Sequence, residues 1–214
     1  MTVTYYNQIV KEFLRETGIR SLLSIDLETL IRNTSDFLTG ERIIAISLSY
    51  YDPELKTELY IAQDDTDEEE DRILSQLDSF IASFRPGIII GYNHSGYDIP
   101  LLRLKMRKRT YEKQLWNLKY YLAVSYCLDM MPVISDYLGN IDGDYKYRKL
   151  SEVVENDVFR HLELDRKKDL VIREDMHVGQ VIEELWRTRS GDFEEYCRGD
   201  TRDLMVLFRD VFKV

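Results

Sequence analysis

The chain has 214 residues, 44% of them hydrophobic, which is enough for one large domain with a substantial core. Its 29 basic and 39 acidic residues leave a formal net charge of -10, which excludes a bulk basic surface and argues against strong nucleic-acid binding by charge alone. Cys127 and Cys197 stand far apart, so neither a disulfide framework nor a zinc cluster is indicated. No apolar run approaches a membrane span, and Lys11, Glu12, Arg15 and Glu16 fall where a signal peptide needs its apolar core, so the expected location is cytoplasmic.

Residues 4–17 place Tyr6, Ile9, Val10, Phe13 and Leu14 at helical spacing, and Gly18 supplies a stop. The next stretch, residues 21–29, has the pattern of a β-strand ending in two carboxylates. Side chains two apart share a strand face, so Leu23, Ile25 and Leu27 point one way and Leu22, Ser24, Asp26 and Glu28 the other. Two acids on one face repel, and burying them requires neutralisation or a partner. A hard divalent cation with oxygen ligands is one such partner; an edge strand with two solvated acids is the plainer alternative.

A polar connection through Asn33, Ser35 and Gly40 leads to a second strand, residues 42–50, and after the Asp52-Pro53 turn to a third, residues 57–62. Together these predict an antiparallel meander. The acidic run 64–71 reads as a helix start, with Thr66 and Glu69 at capping-box spacing and acids complementing the macrodipole. Ile73, Leu74, Leu77, Phe80, Ile81 and Phe84 continue that helix to the Pro86-Gly87 stop. Ile88, Ile89 and Ile90 then form a short apolar run, expected as a buried central strand parallel to the first.

Asp98 follows this strand at its carboxyl end, where ligands of open α/β sheets tend to sit, with Pro100 in the first turn of a helix. A helix N-cap is the plainer role for Asp98, compatible with ligation because one carboxylate oxygen can cap while the other ligates. The helix runs into Arg103, Lys105, Arg107, Lys108, Arg109 and Lys113, which either track a phosphate backbone or form a solvated face. Residues 120–128 read as a strand ending at Asp129, residues 139–144 as a loop, and residues 150–159 and 176–187 as helices. In residues 192–211, Phe193, Tyr196, Cys197, Leu204, Leu207, Phe208 and Val211 make one apolar helical stripe. Asp200 falls inside the stripe, one turn from Tyr196 on the same side, and a buried carboxylate there costs several kcal/mol unless paired or metal-bound.

Asp26, Glu28, Asp98 and Asp200 thus bring acids from three separated elements, a set that makes sense around two divalent cations of the kind that cleave phosphodiesters. Asp26-Leu27-Glu28-Thr29, Asn93 with Tyr97-Asp98, and Tyr196 with Asp200 resemble the three motifs of the DEDD, or DnaQ-like, 3′-5′ exonucleases. The likeness is greatest to the proofreading domain of family B DNA polymerases, and residues 127–133 and the two helices after them share it. The resemblance implies a ribonuclease H-like α/β fold, a mixed five-stranded sheet (antiparallel meander plus parallel strands) flanked by helices, formed by residues 1–214 as a single exonuclease domain. It further implies two divalent metal ions, Mg²⁺ or Mn²⁺: Asp26 bridges them, Glu28 and Asp200 hold the first, and Asp98 serves the second.

Tyr196 would orient the attacking water; the histidine subclass has His five residues before the last acid, where this chain has Glu195. Thr29, Asn93 and Tyr97 would line the place of the last nucleotides, and His94, His161 and His177 are bystanders. The implied substrate is a single-stranded or frayed DNA 3′ end, with no membrane involved. Since no polymerase domain accompanies the motifs, the expectation is a free-standing exonuclease, or a subunit that takes its substrate grip from a polymerase or other replication or repair protein. A non-catalytic binding or scaffold module of the same fold and an RNA-directed exonuclease are the alternatives.

Overall fold

The computed structural model describes residues 3–31, 40–164 and 178–214. The link through Asn33 and Ser35, and Met176 and His177, lie outside them. Among the described residues a single five-stranded sheet has the order β3-β2-β1-β4-β5. Its strands are β1 (Leu22–Ile31), β2 (Glu41–Tyr51), β3 (Leu55–Ile61), β4 (Ile88–Gly91) and β5 (Tyr126–Asp129). β1, β2 and β3 form the expected antiparallel meander, and β4 joins β1 in parallel, as does β5 to β4. β1 is therefore the central strand, covered on both sides.

Helices α2 (Asp67–Phe84), α3 (Asp98–Arg107) and α4 (Trp116–Val124) pack one face on Leu23, Ile25 and Leu27. On the other face α5 (Met130–Asp142) and α8 (Gly191–Phe212) pack with Leu22, Ile88 and Ile90, joined by Val10 of α1 (Val3–Thr17) and the short α6 (Leu150–Val154). α7 (Val178–Arg187) contributes Ile182 and Trp186, whose indole donates to the Ala62 carbonyl at 2.9 Å. No described helix is long and apolar enough to cross a membrane.

Four local expectations are corrected. Residues 120–124 belong to α4, because Leu118 and Leu122 are buried at a spacing of four rather than two. Residues 139–142 are helical, and the chain turns only at Gly143, which takes the left-handed cap at φ 80°. Residues 150–159 split into α6 and a 3-10 turn, since the Asn156 side chain accepts from the Val158 amide and starts a new turn. The capping box of α2 is only half made: Thr66 accepts from the Glu69 amide, but Glu69 turns to the Gln63 amide and Arg72.

α8 is seated by hydroxyls rather than by bulk. Ser47 and Ser49 of β2 lie opposite Asp26 and Ser24 of β1 on the sheet face beneath the helix. The buried Thr201 hydroxyl meets Ser47 at 2.8 Å and accepts from Ser49 at 2.9 Å, while Arg198 donates to the Thr57 carbonyl of β3. Small floor residues let the helix approach, and the hydrogen bonds hold its position along the sheet. Thr201→Val keeps the shape but strands the Ser47 hydroxyl. A loss of about 1–3 kcal/mol in urea unfolding is expected, the usual cost of orphaning a buried polar group.

Candidate metal centre

β1 carries Asp26 and Glu28 on the face that α8 covers, and α8 brings Asp200 down onto it. One carboxylate oxygen from each of Asp26, Glu28 and Asp200 lies within 4.8 Å of the other two. Glu28 is buried at 8% exposure, and Asp26 and Asp200 are half-buried. Between Glu28 and Thr29 the pairing with β2 shifts register, Glu28 facing Ala45 and Thr29 facing Ile43. Such bulges re-aim side chains at the rim of a site.

Asp98 does not join this trio, although it is close enough to raise the Glu28 pKa. The expected N-cap role is also not what it adopts: Tyr97 is the cap residue of α3, and Asp98 is the first helical position. Its Oδ1 instead accepts from the Leu27 amide, between the two strand acids, at 3.2 Å. The carboxylate is 4% exposed.

The electrostatics carry the signature of crowded acids. Burial first, then the charges of Asp200 and Asp98, push the Glu28 carboxyl well above its ordinary value. Asp98 is pushed up to about 7, chiefly by burial and against the opposing pull of two backbone hydrogen bonds. Tyr196 is raised by the Glu28 charge most, then by burial, Asp200 and Asp26. Cys197 is raised by burial and then by Glu28, Asp26 and Asp200. Two α8 side chains thus feel all three acids, and the Tyr196 phenol is held firmly protonated. The donor set is entirely hard oxygen, which fits a divalent cation of the Mg²⁺ or Mn²⁺ type.

Thr29 and Tyr97 meet at the rim, hydroxyl to hydroxyl at 2.6 Å. Both also bond Glu41, a 3%-exposed carboxylate at the start of β2 that sequence reasoning passed over. Asn93 is placed differently. Its exposed side chain sits on a left-handed turn residue, φ 58°, whose amide donates to Asp129 at 2.9 Å. Asp129 is the second missed residue: it also takes the Ser95 amide and hydroxyl and caps α5 through Met131. One carboxylate therefore pins the turn that delivers Tyr97 and Asp98. The sequence signal was an acid ending a strand just before a helix.

His94 is fully buried against Gly91, where a Cβ would come within 2.6 Å of the His94 Cβ, and burial keeps the imidazole pKa low. His161 pairs with Asp210 at 3.2 Å near the far end of α8.

Raised carboxyl pKa values mean that the folded chain binds protons the unfolded chain has released. Without divalent ions, their contribution to stability is largest below the ordinary carboxyl pKa. It falls as pH rises from about 4 through the folded value of Asp98 near 7. Melting in EDTA should show a loss of about 1–4 kcal/mol from pH 5 to 8, or about 2–4 °C per kcal/mol. Asp98→Asn should flatten the curve.

No protein-family model matches the chain, and no curated protein matches it. Among solved structures, a family B DNA polymerase from the hyperthermophilic archaeon Pyrobaculum calidifontis superposes at a TM-score of 0.55 with 18% identity. The match covers 89% of this chain and 24% of that one, so the chain spans about a quarter of its structural neighbour. At this identity the likeness speaks to architecture. The chain has an α/β fold of the ribonuclease H-like kind, a mixed five-stranded sheet between helical layers.

Proposed function

We propose that this chain is a 3′-5′ exonuclease that hydrolyses the terminal phosphodiester bond of single-stranded or frayed DNA with two divalent metal ions. The observation that carries the reading is the meeting of Asp26, Glu28 and Asp200 within 4.8 Å, with Tyr196 in the same field. Like charges crowded on a central strand and an overlying helix are costly for the fold alone. They are useful to a polyanionic substrate only with cations between them.

Asp26, Glu28 and Asp200 would hold one ion, and Asp98 with Asp26 the other. When bound, such ions supply an activated water and stabilise the leaving oxygen. Asp98 is aimed by the Leu27 amide. Tyr196, kept protonated by the acids around it, acts as a hydrogen-bond donor that orients the water rather than as a base. Thr29 and Tyr97, joined at the rim, would line the place of the terminal sugar and base, and Asn93 would serve from the turn beyond.

The net charge of -10 limits how many phosphates the protein neutralises. A polymerase or another replication or repair protein is therefore the expected partner for holding longer substrates.

The test is a 5′-labelled single-stranded oligonucleotide with Mg²⁺ or Mn²⁺, run against a stoichiometric EDTA control. Stepwise shortening from the 3′ end is expected. Asp26→Asn and Asp200→Asn should each lower kcat by at least about 10²-fold, and Tyr196→Phe by about 10- to 100-fold with KM little changed. Binding without hydrolysis, indifferent to Asp200→Asn, would favour a non-catalytic module; equal rates on matched RNA would widen the substrate class.

A further inference from the structure

The cations of α3 divide between two faces. Lys105 and Arg109, one turn apart, turn toward the acidic start of α2. Lys105 pairs with Glu70 at 2.6 Å, and Arg109 shares Asp71 with Lys113. Arg103 and Arg107, also one turn apart, point the other way into a groove of about 470 Å³ between α3 and α4. Lys119 of α4 lines the opposite wall, and the floor is apolar, from Met106 and Leu122. Among the described residues no acid lines the groove, and none of these three cations has a carboxylate partner.

Aromatic rings accompany the groove. Trp116 and Tyr120 on α4 are 50% and 58% exposed, and Tyr111 in the connection is 80% exposed. Tyr111 meets Trp116 edge-on at 5.6 Å, and the Lys119 ammonium stands over the Trp116 ring at 5.5 Å. Large exposed rings thus stand beside solvated cations on one face. Together they are the elements of a single-strand platform, cations for the backbone and π-faces for the bases. The groove and Asp98 share α3. Asp98 is the first residue of α3, so Arg103 and Arg107 lie about 7.5 and 13.5 Å further along the axis at 1.5 Å per residue.

We infer that the α3–α4 groove binds the phosphate backbone of a single nucleic-acid strand upstream of the nucleotide held at the acids, through Arg103, Arg107 and Lys119. This deepens the exonuclease reading and rests on it for the strand's direction. The charge argument narrows the occupant. An apolar helix would leave three cations buried and unpaired, whereas a polyanionic strand neutralises them and leaves its bases against Trp116 and Tyr120.

The experiment measures binding apart from chemistry. Fluorescence anisotropy with labelled 4- and 12-nucleotide strands is run in EDTA across a salt series, comparing the full chain with Arg103→Ala/Arg107→Ala. Both substitutions are at exposed positions, and equal melting temperatures check that the fold is kept. The double variant should bind the 12-mer about tenfold more weakly. Its slope of log affinity against log salt should be smaller by roughly 1.4, about 0.7 for each phosphate that is no longer neutralised. The advantage of the 12-mer over the 4-mer should shrink accordingly.

Trp116→Ala should weaken binding without changing the slope. Unchanged affinity and slope in the double variant overturn the inference, as they must if the groove serves an acidic protein surface instead. Catalysis is scored separately. Groove-dependent binding without 3′ shortening in Mg²⁺ sinks the exonuclease reading and leaves the groove standing. Shortening that is indifferent to the double variant at every length does the reverse.

Discussion

Like-charge repulsion on a strand with no solvated face is the constraint from which the rest of this structure follows. β1 is flanked by β2 and β4 and covered by helices above and below, so Asp26 and Glu28 have little water to relieve them. Asp200 arrives from α8 and adds to the load, and Asp98 lies within electrostatic reach of Glu28. Protons relieve part of the load, since burial raises the carboxyl pKa of both Glu28 and Asp98. The all-oxygen donor set also fits a hard divalent cation.

The surrounding scaffold works to keep the acids from escaping one another. Asp129 gathers two amides and a hydroxyl from the turn after β4, and Asn93 takes the left-handed conformation that lets the turn close. Glu41 holds Thr29 and Tyr97 together at the rim. These two carboxylates are structural in their contacts, yet each acts on a segment that carries a proposed ligand or substrate residue. The acidic turn of α2 has a different part, taking up Lys105, Arg109 and Lys113 so that one face of α3 is charge-neutral and the other is not.

Much of this was legible in the residues. The meander, the buried parallel strand 88–90 and the amphipathic stripe of α8 rest on hydrophobic period, which tertiary packing obeyed. The convergence of Asp26, Glu28 and Asp200 was legible only in combination: the strand acids alone fit a solvated edge, but Asp200 inside an apolar helical stripe, one turn from Tyr196, called for a partner. The placement of Asp98 was less so: a short acid before a helix reads as a cap, and only the fold shows that the Leu27 amide competes for it. Residues 120–124 misled because Tyr and Val favour strands locally, while burial of Leu118 and Leu122 against α2 and α3 decided for helix. Glu41 and Asp129 were harder to rank, since the contacts that tie them to the site, Tyr97 for one and Asn93 and Ser95 for the other, lie 56 and 34–36 positions away.

The hydroxyl seam beneath α8 has a consequence of its own. Apolar contacts between a helix and a sheet are non-directional and set no single hydrogen-bond register. Paired hydroxyls at 2.8 and 2.9 Å do set one, since any axial drift stretches both at once. Thr201 is the immediate neighbour of Asp200 and lies five residues past Tyr196. The seam therefore works as a detent: it sets the helix at one notch, and the depth to which the phenol and the carboxylate reach is fixed there.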